Sequence, residues 1–397
     1  MPLQIGLPEA DACYGCGACT NICPKYCIEM ITNEYGERKP RVDTTNCIVC
    51  GNCMKVCPAL RDPDLKKPQK IWALAIKDPE KRKGSASGGA ARLLYEQALS
   101  QGATVYGCDF NEQHILRMRS ARCLDEIEGF RNSKYTYCRM ENTYRDIKER
   151  LAQGEKILFI GTSCQVDAVL RYVGNDKANL FTVDLLCHGV PPEMYFREYL
   201  EGEEKYFHTK IDKILFRGSN RNRDFYLSLY HKNQKLKDEF ARCNIFYAGY
   251  VNKLFYQKKC YSCPYSGERR CSDITICDWW GEIGLTDAKA SLILVNSDEG
   301  NIFLEKIFSR SDVWYEEHSL QDAINSNEQL KGTSEQFSDF VEMREFYKKN
   351  GFMKMAEKYV RPHILEYEKK IRNEKIRRIM HLPIRIVKKA MRVVKHI

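Results

Sequence analysis

Between residues 70 and 310, apolar runs of strand length alternate with stretches whose apolar residues recur at helical spacing. Residues 71–76 (IWALAI), 103–110, 115–120, 156–160 (KILFI), 181–186, 274–277 and 291–295 read as strands. Residues 87–102, with Leu93, Leu94 and Ala98 at helical spacing, read as a helix. So do 144–154, 166–173 and 191–200, the last with prolines in its first turn. Such alternation predicts a mixed α/β sheet. From about residue 311 the pattern becomes mostly helical and charged. At its end Ile384, Val387, Met391 and Val394 share one helical face, and Arg385, Lys388, Lys389, Arg392 and Lys395 fill much of the rest. This predicts a basic amphipathic helix after Pro383.

A chain of 397 residues suggests two to three domains and buries a sizeable core without disulfides. Its 19 cysteines therefore need another explanation. No stretch approaches the roughly 18 apolar residues of a membrane span, and the amino end has no basic and apolar export signal. A reducing, cytoplasmic setting is expected, where cysteines serve as metal ligands or redox groups. The net charge is +10, but eight Lys and Arg with no acidic residue lie between 375 and 397. The remainder is nearly balanced, which argues against a nucleic-acid surface. The tail is expected either to touch an anionic membrane surface, peripherally at the inner membrane, or to pack on the body or a partner.

Nine cysteines fall in the first sixty residues, in two copies of C-x-x-C-x-x-C-x-x-x-C-P, at 13–24 and 47–58. In this spacing the fourth cysteine of each run reaches the other cluster. Cys13, Cys16, Cys19 and Cys57 are expected to hold one 4Fe-4S cluster, and Cys47, Cys50, Cys53 and Cys23 a second. Zinc sites more often use paired CxxC knuckles or Cys/His mixtures. Cys27 lies outside the pattern and reads as a packed or free thiol. The proline-rich stretch 58–70 reads as a linker.

A second constellation lies in the body: Cys260 and Cys263 form a CxxC, Cys187 ends a strand, Cys164 sits in the turn GTSCQ, and Cys271 follows. A third cluster would take Cys260 and Cys263 with two of Cys164, Cys187 and Cys271; a zinc knuckle or a redox pair is the alternative. Cys108, Cys123, Cys138, Cys243 and Cys277 read as small core residues. The loop GSASGG at 84–89 opens a helix, and reads either as a cradle for a dinucleotide pyrophosphate or as a flexible turn with an N-cap.

Taken in order, the dicluster repeat, GSASGG, NSKYTY, KILFIGTSCQ, DLLCHG, CYSC and SDITICDWWG resemble the coenzyme F420 hydrogenase/dehydrogenase beta-subunit family, in its bacterial form with an N-terminal ferredoxin domain. The resemblance spans about residues 1–310. It implies a dicluster ferredoxin-like domain at 1–65, a mixed α/β FAD-binding body at 66–310 and a helical region with a basic tail at 311–397. The overall class is α+β / α/β. It further implies FAD contacts from Ser85, Ser87, Gly88 and Gly89. Lys134 and Tyr135 would lie beside the flavin, with Gly161, Thr162 and Gln165 in the turn that carries Cys164. Cys164, Cys187, Cys260 and Cys263 are favoured as the third-cluster set, with Cys271 as the alternative to Cys164. Lys134 and His188 are the candidate catalytic groups. Asp273, Asp278, Trp280 and Gly281 match the family's aspartate-rich strand and WG turn. Ser163 stands where the family has proline, and Cys277 where it often has glycine.

Two functions follow from that resemblance. One is an iron–sulfur flavoprotein oxidoreductase between a hydride carrier or metabolite and 4Fe-4S clusters, linked to surface-polysaccharide assembly. The other is an electron-transfer subunit with no substrate site of its own. A zinc-bearing nucleic-acid protein is a third and weaker reading. The redox partner stays open among a ferredoxin, a nicotinamide, coenzyme F420 and a sugar-linked metabolite.

Overall fold

The structure, a computed structural model, describes residues 6–217, 225–284 and 289–380. In the amino-terminal repeat, α1 (Ala18–Ile22) packs on α2 (Asn52–Lys55), and β1 (Ile28–Thr32) pairs antiparallel with β2 (Arg38–Val42). Both helices start from a glycine in left-handed backbone, Gly17 (φ 79°) and Gly51 (φ 72°). The glycines occupy equivalent places in the two repeats, so the duplicated spacing is a duplicated turn.

The body is one eight-stranded sheet. Its strands are β3 (Lys70–Ile76), β4 (Thr104–Phe110), β5 (Leu116–Ala121), β6 (Ile157–Thr162) and β7 (Leu180–Leu185). A three-stranded antiparallel sheet, β8 (Lys213–Leu215), β9 (Tyr226–His231) and β10 (Gln234–Phe240), is inserted before β11 (Ile274–Asp278), β12 (Ser291–Val295) and β13 (Val313–His318). The large sheet runs β13-β3-β12-β11-β7-β6-β4-β5, with β11, β7, β6 and β4 parallel and the remaining pairs antiparallel.

After the short α3 (Pro79–Arg82), the helices are α4 (Ala90–Ser100), α5 (Thr143–Ala152), α6 (Ser163–Val173), α7 (Glu193–Phe207), α8 (Ile245–Val251), α9 (Asp298–Phe308), α10 (Leu320–Ser326), α11 (Phe340–Tyr359) and α12 (Arg361–Met380). On one face of the sheet, Leu93, Leu94 and Ala98 of α4 and Leu304 of α9 pack against Leu158 and Ile160. On the other, Ile147 of α5 and Val166 and Val169 of α6 pack against Ile157 and Phe159. β6 is thus buried on both sides, which is why its sequence is a continuous apolar run. A separate aromatic core joins α7, α8, α11 and the small sheet.

Several elements depart from the sequence reading. The turn GTSCQ is the first turn of α6, because Thr162 and Gln165 form a capping box that starts the helix at Ser163. Pro191 and Pro192 precede α7, with Pro192 as its N-cap. Past residue 310 the chain adds β13, an edge strand antiparallel to β3, before turning helical. The expected basic helix at 384–394 lies outside the described residues. None of the described helices is long and apolar enough to cross a membrane.

Tyrosines of the body fasten the repeat to it. Tyr137, Tyr144 and Tyr172 donate hydroxyl hydrogen bonds to the carbonyls of Gly15, Cys16 and Asn21. Lys39 Nζ donates to Cys13 O at 2.7 Å.

Candidate functional site

The carboxyl ends of β3, β6, β7 and β11 lie at one edge of the sheet, where open α/β sheets bind their ligands. The loops leaving these strands line a cavity of about 600 Å³. Nearly every motif singled out in the sequence contributes to its wall.

The glycine loop enters first. Ile76 N–H donates to Gly88 O at 2.9 Å, and Ser87 Oγ donates to Ala290 O, so the loop is clamped between β3 and the start of β12. A Cβ on Gly88 would lie 2.1 Å from Leu74 O and 2.6 Å from Ser291 N. Gly89 has φ 96°, and a Cβ there would meet Ile76. No larger residue fits this path. Ser85, Ser87 and Gly89 face the cavity.

Residues 132–138 form a second wall. Lys134 Nζ donates to Arg131 O at 2.8 Å, which fixes the ammonium at the cavity. The ring of Tyr135 lies 4.8 Å from Tyr250 and 5.3 Å from Tyr247. Its hydroxyl accepts from Arg217, which also pairs with Asp278 at 2.8 Å. Trp280 stacks on Phe225, and Trp279 Nε1–H donates to Glu282 O. Asp273 lies away from the cavity, accepting from Thr182 and Ser297.

The third wall carries sulfur. Gly161, Thr162, Cys164 and Gln165 come from the β6–α6 junction, Cys187 and His188 from the end of β7, and Cys260 from the loop after α8. Cys263 is near enough to act electrostatically on Cys164, Cys187 and Cys260. Burial pushes all four above the usual thiol range, Cys187 to about 11. Cys271 turns its Sγ to Ser163 O at 3.6 Å and packs with the α5–α6 core. The amide of Gln329 meets the His188 imidazole. Crowding by protein atoms, and then Lys253, holds that imidazole below the usual histidine range. Beneath the site Arg270 pairs with Asp184, and both are fully buried.

In the repeat, Cys13, Cys16, Cys19 and Cys57 surround one small cavity. Cys23, Cys47, Cys50 and Cys53 surround another, together with Cys27. Burial raises the thiols of Cys13, Cys16, Cys19 and Cys57, whereas Cys50 is exposed.

Sequence reasoning missed three features. Tyr14 and Cys16 of the first repeat line the large cavity as well as their own. Cys108 and Cys138, read as core residues, also line it. A hydrogen bond with Cys138, followed by the nearby charge of Lys134, holds the Cys108 thiol below the usual range. The one available signal was Cys138 following NSKYTY directly; the rest depends on strand pairing. Arg217 was missed too, since its partners Tyr135 and Asp278 lie 82 and 61 residues away.

Comparison with known families gives two matches. Residues 12–60 match the 4Fe-4S dicluster domain. Residues 154–320 match the carboxy terminus of the beta subunit of coenzyme F420 hydrogenase/dehydrogenase. Among curated proteins nothing matches. Among solved structures, a chain of the F420-reducing NiFe hydrogenase complex from Methanosarcina barkeri is similar at 17% identity over 75% of this chain and 93% of that one, with a TM-score of 0.45. The two matches lie in the order that the motifs foretell: a 4Fe-4S dicluster domain, followed by a segment that matches the carboxy terminus of the coenzyme F420 hydrogenase/dehydrogenase beta subunit.

Proposed function

We propose that the chain is an FAD- and 4Fe-4S-dependent oxidoreductase, passing electrons between a hydride carrier or metabolite and its clusters. One observation carries this reading: the glycine loop, three of the body thiols (Cys164, Cys187 and Cys260) and two residues of the N-terminal repeat all line the same cavity. The residues suit FAD. The cavity has the size of a cofactor pocket. Six cations (Arg92, Arg131, Lys134, Arg242, Lys253 and Lys259) line it against three carboxylates (Glu128, Asp278 and Glu328) among the described residues. Tyr247 Oη and Arg131 Nε are buried there without a hydrogen-bond partner.

A bound flavin takes two electrons as hydride and gives them up singly. Gly88 and Gly89 let the backbone approach a pyrophosphate, with Ser85 as donor and Ser87 as the pin that fixes the loop. Lys134 and Tyr135 would lie beside the ring, where the ammonium would favour negative charge. Gly161, Thr162 and Gln165 would form the opposite side, and His188 would accept a proton at the mouth. Cys164, Cys187, Cys260 and Cys263 would hold a cluster in the body. Cys13, Cys16, Cys19 and Cys57 would hold a second cluster and Cys47, Cys50, Cys53 and Cys23 a third, each able to carry one electron at a time. The redox partner falls in the classes of ferredoxin, nicotinamide, coenzyme F420 or sugar-linked metabolite, with surface-polysaccharide assembly as the setting that the resemblance favours. Anaerobic purification with iron, sulfide and flavin analysis tests the scheme: about twelve irons and one FAD per chain are expected for three four-iron clusters. About eight irons would remove the body cluster, and absence of flavin would remove the enzyme.

A second reading has its own support. Cys50 is exposed, between Ile48 and Gly51, and Ile48 and Val49 are 57% and 48% exposed. Such a surface suits a protein partner, and an electron-transfer subunit would turn over only when that partner is added. The basic tail favours contact with anionic lipid. Deleting residues 375–397 should abolish sedimentation with anionic liposomes at unchanged cofactor content.

A further inference from the structure

The repeat leaves one thiol over. Cys27 follows Cys23 by four residues, and its Sγ lies 3.4 Å from Cys23 Sγ. Both are buried, and Cys27 lines the same small cavity as Cys23, Cys47, Cys50 and Cys53. Its position is set by backbone. Tyr26 N–H donates to Cys23 O at 3.3 Å, Tyr26 adopts φ 52°, and Cys27 O accepts from Asp43 N–H at 2.8 Å. This tight turn folds the chain back, so that Cys27 meets Cys23 at the entry to β1. The other repeat has no such thiol: four residues beyond Cys57 stands Arg61.

A four-iron cube takes one protein thiolate per iron. Four of the five thiols around this cavity satisfy it, and the fifth touches one of the four. We propose that Cys27 is a reserve ligand of the outer cluster, taking over the iron of Cys23 when the bond to Cys23 opens or Cys23 is replaced. In the exchange the Fe–S bond to Cys23 breaks and one to Cys27 forms. The proton of the Cys27 thiol passes to the released Cys23 thiolate or, where Cys23 is replaced, to solvent, and no electron moves. The inference rests on the reading that the repeat holds two clusters with crossed ligands.

The test uses the full chain, purified anaerobically and reconstituted with iron and sulfide, as wild type, Cys27→Ser, Cys23→Ala and Cys23→Ala/Cys27→Ser. Iron per chain and low-temperature EPR of the reduced protein are read. Cys27→Ser should match wild type. Cys23→Ala should keep the full iron content with a shifted EPR signal from the outer cluster, and the double variant should lose about four irons. Cys23→Ala falling to the level of the double variant would overturn the proposal. So would a loss of four irons in Cys27→Ser, which would make Cys27 the primary ligand. A Cys23→Ser chain is the control for folding; if neither it nor Cys23→Ala retains any iron, the reserve role fails too. A wild type without clusters would instead remove the two-cluster reading beneath it.

Discussion

Around the N-terminal cysteines, the buried cluster consists of Cys19, Cys23, Cys27 and Ile28, with Cys47 and Cys53 among the side chains packed against it. In the body the core is made largely of Leu, Ile, Val, Ala and aromatic side chains, layered on both faces of an eight-stranded sheet. Both regions hold thiols in fixed arrays. The repeat uses short turns and has little apolar core beyond the sulfur itself. The body hangs its thiols on loops at strand ends, with the apolar layers already in place. Order in the repeat should therefore depend on what the thiols hold, and order in the body should not.

Removing iron anaerobically with a chelator breaks or upholds that contrast most directly. Metal centres in small domains contribute on the order of 10 kcal/mol to folding. Amides of residues 12–60 should then exchange with solvent orders of magnitude faster, while those of β3, β6, β7 and β12 keep their protection. Hydrogen-exchange mass spectrometry reads both regions in one experiment. A repeat that stays protected would mean that its anchoring by Tyr137, Tyr144 and Tyr172 suffices alone.

Ion pairs sharpen the same comparison. Arg270 and Asp184 are 1% and 0% exposed, and Ser163 and Ser272 complete their hydrogen bonding. Arg270→Met strands a buried carboxylate and should cost about 3–5 kcal/mol in denaturant unfolding of the body. In the repeat, Arg41 and Glu29 are 64% and 61% exposed. Arg41→Met should cost under about 1 kcal/mol, because solvent screens the pair. Equal effects would mean that the buried pair is relieved by rearrangement.

The two regions also differ in how much their sequence reveals. In the repeat, ligand spacing is chemistry: two runs of four cysteines, three and four positions apart, describe the nests almost completely, and only the fold-back of Cys27 onto Cys23 escapes. In the body, apolar runs reveal the central strands, since β6 and β7 are buried on both faces. Strands that face solvent are silent. β10 reads QKLKDEF, charged on both sides, with no period to find it by. β13 hides in a charged stretch for the same reason. The start of α6 escapes the sequence reading because its cap, Thr162 with Gln165, sits inside a motif whose conspicuous feature is its cysteine. The meeting of Tyr14 and Cys16 with the body cavity is a product of tertiary packing, which local pattern does not record.

Gly88 separates a loop that is shaped by packing from the turns of the repeat. The Cβ of Gly88→Ala would run into Leu74 O and Ser291 N, which are backbone atoms of two sheet strands and cannot rotate away. A destabilisation of about 3 kcal/mol is expected, with loss of bound flavin and unchanged iron in the repeat. Gly51→Ala changes only backbone conformation, since its Cβ would meet Met54 Cε at 3.5 Å. Its cost should be nearer 1 kcal/mol and should appear in the repeat alone. Flavin retained at wild-type level in Gly88→Ala would detach the glycine loop from the cofactor.

The smallest effect tests how a body thiol is aimed. Thr162 caps α6, and its backbone N–H donates to Gln165 Oε1 at 3.0 Å, while its Oγ1 lies 3.3 Å from Cys164 Sγ. Thr162→Ala removes the hydroxyl and should lower stability by about 1 kcal/mol, the ordinary value of an N-cap. The helix itself should persist, because Val166, Ala168 and Val169 remain buried against the sheet. If apolar packing positions Cys164, iron content in Thr162→Ala equals that of wild type despite the lower unfolding midpoint. If instead the cap aims the thiol, the variant loses about four irons along with the same small loss of stability, and the body would then depend on local turns for its sulfur as much as the repeat does.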